Sequence, residues 1–459
     1  MSRQPQEESA LVKFSVKQTL FRMAFPMLAG TFAMNAYHFT DTWFVSRLGT
    51  NPLAAMGFSF PVIMLLRCVA GGIGNGVSTL AAHALGRQAH ADAARIVTHG
   101  IALMLMVAGM IAIGGYCSID AIFSRLGADE QIMPLVTGYM RTWYLGAAFM
   151  ALPMLGNGLL IASGDSRRAA RLMLLGPILN TIFDPILIFG FWVVPAMGIR
   201  GAALATVLAQ AVTTVCLCHL LLVKYRLLTW KRWPVRDWLN SLRRIMAFSI
   251  PNILSMMLMP IAATVITRLL GGFGNEAVAG SSAAGRLESF AFIIPMALGI
   301  SLTPFVSQNY GAGRLDRIHE ALRLSLGFAL IYGAAVTVLF FIFAPWLALI
   351  FSRDPRVVEV MVSYIRIVGF GYGMMESHRY CSFFLTGVHR PGVAALLNAV
   401  RVLILLIPMV CLGARLGGVS GVFWGRLTSD LTAGFIGICW VRWILSRLKM
   451  STTDAERVS

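Results

Sequence analysis

Charge is what this sequence has least of. Asp, Glu, Lys and Arg make up 13% of its 459 residues, against 57% apolar residues. A soluble globule of this size carries about twice that charge, which excludes a water-soluble enzyme or binding domain. Mean hydropathy is +0.74. Acids are scarcer still, 20 against 38 Lys and Arg, so the formal net charge is +18. Cysteine is limited to seven residues, an odd number, all in or beside apolar segments and without CxxC or Cys/His ligand spacing. That excludes a disulfide framework and a cysteine metal centre. No nucleophile–base arrangement, phosphate-cradling glycine loop or ATP motif is present, so neither an enzyme nor an ATP-driven pump is expected. No cleavable signal peptide is expected either, because the first apolar run, 20–37, is too long and lacks a small-residue cleavage site.

What the sequence has is apolar length. Twelve segments, at about 19–45, 53–82, 95–119, 133–160, 170–192, 198–223, 245–271, 278–307, 320–346, 357–386, 391–413 and 418–445, reach the roughly 20 residues a membrane span requires. The fold class is therefore an all-α polytopic membrane protein with twelve transmembrane helices. Lys and Arg crowd the N-terminal tail and alternate loops. Only Arg47, Arg125, Arg200, Arg353, Arg356 and Arg415 fall in the opposite loops. This bias places both termini in the cytoplasm, in a prokaryotic inner (plasma) membrane, and explains the net charge as topology with no nucleic-acid partner. The partners are the lipid bilayer and small organic molecules, and a monomer is expected.

The chain is also duplicated. Met23-Ala-Phe-Pro26 recurs as Met246-Ala-Phe-Ser-Ile-Pro251, Ile122-Phe-Ser-Arg125 as Ile350-Phe-Ser-Arg353, Tyr139-Met-Arg141 as Tyr364-Ile-Arg366, and Gly198-Ile-Arg-Gly201 as Gly418-Val-Ser-Gly421. Six spans per half give both halves one polarity, hence two parallel-repeat lobes around a central cleft. The expected organisation is a tail at 1–18, an N-lobe at 19–224, an interlobe linker at 225–244, a C-lobe at 245–446 and a tail at 447–459. The linker is basic and holds Trp230, Trp233 and Trp238, which suits either an interfacial helix or an ordinary cytoplasmic loop.

The most informative stretch is 171–190. It is apolar enough to span a bilayer yet carries Asn180 and Asp184, whose i, i+4 spacing puts both on one helix face. Pro185 follows and removes a backbone donor. A carboxylate in hydrocarbon costs several kcal/mol, so it faces a protein interior or a wet cavity. It is either a proton or cation site or a structural acid paired with a buried Arg or with backbone donors. Asp41 ends the first span at similar depth, preceded by His38, and Pro26 is placed to kink that helix as a hinge. Asp41 alone is equally consistent with interfacial water. Tyr139, Asn157 and His38, and more weakly Thr206 and Gln210, are candidates for the same cavity. At the repeat offset neither acid has an acidic counterpart, so acidic function belongs to the first half. The second half holds Glu376, His378, Arg379, Arg401, Arg426 and Asp430. There Arg426 and Asp430 are expected to pair at i, i+4, and Glu376 with Arg401 or Arg379, while Arg286 and Glu288 are expected at the interface.

Pro26, Thr40-Asp41-Thr42 leading to Arg47-Leu-Gly49, Asn157, the Asn180/Asp184 pair and Gln308-Asn-Tyr-Gly-Ala-Gly313 occur in an order, along two sets of six spans, that resembles the MATE (multidrug and toxic compound extrusion) family of the MOP superfamily. The resemblance covers about 20–445. It implies an antiporter that exports organic, often cationic or amphipathic compounds in exchange for H⁺ or Na⁺, with no other cofactor. It also implies that Asp41, Asn180 and Asp184 form the cation or proton site, with Tyr139 and Asn157 nearby. One branch of the family carries acids in the seventh and tenth spans. Here the seventh has none and Glu376 is only a loose counterpart. A flippase for a lipid-linked saccharide, suggested by Arg379 and Arg401, and a non-transporting scaffold or receptor are the alternatives. The identity of the substrate and the choice of ion are not legible.

Overall fold

The computed structural model describes residues 10–229, 231 and 233–458. The side chains of Ala10, Lys13, His38 and residues 449–458 lie outside the description, as do residues 1–9 of the expected N-terminal tail and Trp230. Among the described residues the regular structure is helical, apart from one isolated bridge between Phe191 and Val194. Long runs of Leu, Ala, Met, Ile and Phe satisfy their backbone internally only as helices when no water is at hand.

Six helical spans make the first half. They are α1 (Val16–Ser46), α2 (Thr50–Gly86), α3 (His90–Cys117), α4 (Met133–Leu145 and Ala147–Ala162), α5 (Ser166–Phe189) and α6 (Ile199–His219, continued by a π-helical Leu220–Lys224). The second half repeats them. It holds α7 (Val235–Gly271), α8 (Asn275–Ala291 and Ile293–Gly311), α9 (Leu315–Phe351), α10 (Pro355–Val368 and Tyr372–Gly387, joined by a 3₁₀ turn), α11 (391–416) and α12 (419–458). The fourth helix of each half is interrupted, α4 turning by 53° at Gly146 and α10 broken by the 3₁₀ turn Gly369–Gly371, and in the second half α8 bends as well, by 58°. Among the described residues eight helices, or ten with each bent pair as one span, are long and apolar enough to cross a membrane. One of these, Pro391–Leu448, is broken at Gly417 and Gly418 into two. The 31-residue α1 is long enough but more polar. Twelve spans result, as expected from the sequence. Phe21, Phe25, Phe32 and Phe39 of α1 are each more than half exposed, which is the surface a lipid-facing stripe presents.

The chain forms two compact units, one of Arg22–Ile253 and one of Leu11–Phe21 with Leu254–Ser459. The division falls inside α7 and not in the linker expected at 225–244, most of whose second half is simply the start of that helix. The reason is packing. At Gly72 a Cβ would lie 2.3 Å from the Ile253 side chain and 2.8 Å from its backbone nitrogen, so the first half of α7 lies directly on α2. Trp233 and Trp238 both set their edges against His99 of α3. The expected N-terminal tail also has a role in the second unit. The buried Arg317 donates to the carbonyls of Leu11 (3.1 Å) and Phe14 (2.7 Å) and to Asn309 Oδ1 (2.7 Å).

In the first unit two features position α5. Asp165 caps its N-terminus by accepting from Arg168 N (3.1 Å) and also accepts from Tyr225 Oη (2.7 Å). Partial burial raises the Asp165 pKa, but the Tyr225 and Arg168 hydrogen bonds outweigh it and hold the carboxyl below its usual range. The second feature is Gly201 of α6, where a Cβ would sit 2.3 Å from the Leu187 carbonyl oxygen. Its repeat counterpart Gly421 is as close to Gly413, at 1.9 Å, and the preceding Gly198 and Gly418 share φ of +55° and +57°. The duplicated Gly-x-x-Gly thus makes the same tight helix crossing twice. Gly201→Ala is expected to destabilise the protein by about 1–3 kcal/mol through overpacking and to lower its melting temperature in detergent. Gly109→Ala in α3, where nothing lies within 4 Å of the added carbon, is expected to leave it unchanged or raise it; equal melting temperatures for the two variants would contradict this.

Candidate functional site

The α5–α6 crossing brings Asn180 against Thr206. Asn180 Nδ2 donates to Thr206 Oγ1 at 3.2 Å and to Asp184 Oδ1 at 3.3 Å. Thr206 Oγ1 gives its one proton to the Ala202 carbonyl (3.1 Å) and lies 3.3 Å from Tyr37 Oη. With its proton committed, Thr206 can only accept from Tyr37. A continuous chain therefore runs Tyr37–Thr206–Asn180–Asp184, from α1 through α6 to α5.

Burial is deep along that chain. Asp184 is 0% exposed, Asn180 2% and Asp41 6%. Asp41 Oδ1, Asp184 Oδ2 and Asn180 Oδ1 have no hydrogen-bond partner among the described residues. Asp41 lies one turn beyond Tyr37 and close enough to Asp184 for their charges to interact. Three buried acceptor oxygens on two carboxylates and an amide present hard ligands with nothing to accept from. Such a set suits a proton or a small hard cation. Among the described residues no group of three or more His, Cys, Asp and Glu has the arrangement of a metal centre.

Beside this cluster lies a cavity of about 180 Å³, wholly within the first unit. Asp41, Tyr139, Asn157, Thr206 and Gln210, all expected at the site, are in its wall. Asn180 and Asp184 are not in the wall and sit behind Thr206, so cluster and cavity share Tyr37, Asp41 and Thr206. The remaining lining is apolar and polarisable, with Met34, Met56, Met64, Met150, Met154 and Met173 beside Phe60 and Trp143. Pro26 lies inside α1 but outside the wall, about 22 Å along the helix from Asp41. The side chain of His38 lies outside the described residues.

Tyr37 and Arg67 are among the wall residues that the sequence reading does not name. Tyr37 precedes Asp41 by the same i, i+4 step that joins Asn180 to Asp184, and that spacing was available as a signal. Arg67 stands in the middle of the apolar run of α2 and faces the cavity. An arginine there is itself a pointer to a wet interior.

The second unit resolves differently. Glu376, with its side chain 0% exposed, lies 3.0 Å from Arg379 and not against Arg401. Arg401 donates to Asp430 Oδ1 at 2.8 Å. Arg426 is not principally the partner of Asp430, 3.7 Å away, because its guanidinium reaches Glu288 at 2.6 Å. Glu288 is not an interfacial residue: its side chain is 12% exposed and also accepts from Tyr364 Oη at 2.6 Å. The i, i+4 spacing makes an intrahelical pair available, but a cross-helix carboxylate gives Arg426 a shorter contact together with a second partner. Glu288 and Asp430 are thus each hydrogen-bonded to an arginine, which is how charges are retained in a low-dielectric interior, whereas neither carboxylate oxygen of Glu376 has a hydrogen-bond partner among the described residues.

The chain matches the MatE family over residues 26–186 and 251–412, one segment in each duplicated half. It is 34% identical over 450 residues to a FAD transporter of Shewanella oneidensis, covering 98% of this chain and 99% of that protein. It is 25% identical to the multidrug export protein MepA of Staphylococcus aureus, with 96% and 97% covered. Among solved structures, the outward-facing conformation of a multidrug resistance MATE family transporter of the MOP superfamily superposes with a TM-score of 0.89 at 27% identity, covering 97% of this chain and all of that one. The chain belongs to the MatE family of membrane transporters.

Proposed function

We propose that this protein is a secondary active exporter that moves organic compounds out of the cell in exchange for H⁺ or Na⁺. The observation that carries this reading is the shared wall: Tyr37, Asp41 and Thr206 belong at once to the buried acidic cluster and to the apolar cavity beside it. A cation arriving at Asp41 and Asp184 meets Asn180 Oδ1 and the two unpartnered carboxylate oxygens. Its binding alters the packing of α1 against α6 through the Tyr37–Thr206 contact. The first span then bends near Pro26 and narrows the cavity, and release of the ion to the cytoplasm restores it. Exchange follows if the two conformations differ in affinity for the ion. At about 180 Å³ the cavity is smaller than the ~300–1,000 Å³ of sites that enclose drug-sized ligands, so loading requires it to widen.

The site lies within one chain, which supports a monomer as the working unit, and the bias of Lys and Arg among the loops supports cytoplasmic termini. The multidrug export relatives support a broad substrate range. The FAD transporter relative supports a second reading, in which the compound carried is a flavin or a similar aromatic nucleotide.

Purified protein in liposomes loaded with ethidium provides the test, with a pH gradient and a Na⁺ gradient applied separately. Dye movement driven by one of them is expected in the wild type, with a loss of roughly tenfold or more in Asp41→Asn and Asp184→Asn. Undiminished gradient-driven transport by both variants would sink the proposal. Thr206→Val removes the hydroxyl joining Tyr37 to Asn180 at nearly constant volume. It is expected to slow coupled transport by roughly three- to tenfold, measured in the same liposomes as the initial rate at saturating gradient.

A further inference from the structure

The start of α7 carries residues that the transport cycle does not use. Trp238 rests its edge against His99, and Ser241 and Ile245 are buried, so the face they share packs on the protein. The opposite face is open. It presents Val235 at 73% exposure and Leu239 at 54%, with Arg236, Asn240 and Arg243 exposed alongside them. Arg243 lies seven residues beyond Arg236, and Ile250, also exposed, lies seven beyond Arg243. The three therefore stand in one line along the helix. Down that line guanidinium gives way to hydrocarbon over about 10 Å, the passage a helix makes from headgroups to acyl chains.

Neither arginine has an acid to answer it. Among the described residues Asp92 meets Arg95 at 2.6 Å and Arg244 at 3.5 Å, Asp165 meets Arg168 and Lys224, and the side chains of Arg236 and Arg243 make no ion pair. Asp237, the acid between them in sequence, lies on the packed side of the helix near His99. Membrane orientation needs basic residues in a loop and sets no condition on the face they occupy. Here they share the face that exposes Val235 and Leu239, and at a membrane surface their counter-charge comes from the lipid. We propose that the exposed face of α7 over 235–243 is a docking surface for an anionic phospholipid. Arg236 and Arg243 hold its headgroup, and Val235, Leu239 and Ile250 lie against its acyl chains. Each guanidinium fork matches two oxygens of a phosphate. A zwitterionic lipid brings the same phosphate with an ammonium of its own, and so binds more weakly.

The test uses the full-length purified protein in phosphatidylcholine liposomes, with no gradient and no transported compound. Two photoactivatable probes are added in trace, a phosphatidylglycerol and a phosphatidylcholine with the same reactive group at the top of the same acyl chain. Labelled peptides are counted by mass spectrometry, relative to the apolar stretch of α9 around Ile331 and Val338, which are 74% and 59% exposed. In the wild type the 235–243 segment is expected to take roughly tenfold more of the anionic probe than of the zwitterionic one. Arg236→Gln with Arg243→Gln is expected to bring that ratio close to one, while zwitterionic labelling persists because Val235 and Leu239 are untouched. Arg236→Lys with Arg243→Lys keeps the charge without the fork and is expected to give an intermediate ratio, which guards against loss of folding in the glutamine variant. Excess inorganic phosphate at matched ionic strength is expected to change nothing. Suppression by phosphate would reassign the arginines to a soluble anion and overturn the proposal. So would equal labelling by the two probes in the wild type, an unchanged ratio in the glutamine variant, or a segment that neither lipid labels, which leaves this face to a soluble partner.

Discussion

A carboxylate with no access to water must find a proton, a cation or a set of donors, and the first unit is organised around that requirement. Asp184 is fully buried, and its one neighbouring donor is the amide of Asn180, which is shared with Thr206. One carboxylate oxygen is left with nothing to accept from, and Asp41 repeats the situation a helix away. The helices that create this arrangement are held close by residues that contribute no chemistry. Gly201 admits α5 onto α6, and Asp165 ties the start of α5 to Tyr225 beyond α6. Those contacts place Asn180 opposite Thr206, and the chain to Tyr37 follows.

The duplicated halves make the point by contrast. Both contain the positive-φ glycine followed three residues later by a glycine at a helix crossing, at Gly198/Gly201 and Gly418/Gly421. One scaffold therefore serves both. In the second unit Glu288, Glu376 and Asp430 are met by Arg426, Arg379 and Arg401 at 2.6–3.0 Å. Glu288 and Asp430 are held there by hydrogen bonds, while both oxygens of Glu376 have no hydrogen-bond partner among the described residues. In the first unit the cluster neighbours of Asp184 are an amide and another acid. Among the described residues each of these second-unit acids thus has an arginine within reach, where Asp184 has an amide.

Much of this was legible beforehand, and the rest was hidden for identifiable reasons. The twelve spans follow from apolar length, and the site pair from Asn180 and Asp184 standing alone in a span, since a polar group in hydrocarbon is costly enough to signal itself. Tyr139, Asn157, Thr206 and Gln210 do line the cavity with Asp41. What spacing could not show was depth behind a wall. Asn180 and Asp184 lie one layer back from the cavity because of how closely α5 approaches α6, a distance set by a glycine. Local spacing also misassigned Arg426. Its i, i+4 neighbour Asp430 is always within reach on the helix, whereas Glu288 becomes a partner only once α8 packs against α12. The division inside α7 has a similar origin, because composition marks 225–244 as a linker but the Gly72–Ile253 contact decides which unit it joins. Arg67 was overlooked in a long apolar run.

The claim on which the account stands is that Asp41, Asn180 and Asp184 bind the coupling ion. The direct measurement is ion binding to the purified protein without substrate: calorimetry for Na⁺, and proton uptake followed by a pH indicator after a small acid step. The wild type is predicted to take up one of the two ions saturably, and Asp184→Asn to lose that uptake. Uptake that is absent in the wild type, or equal in the variant, would contradict the account.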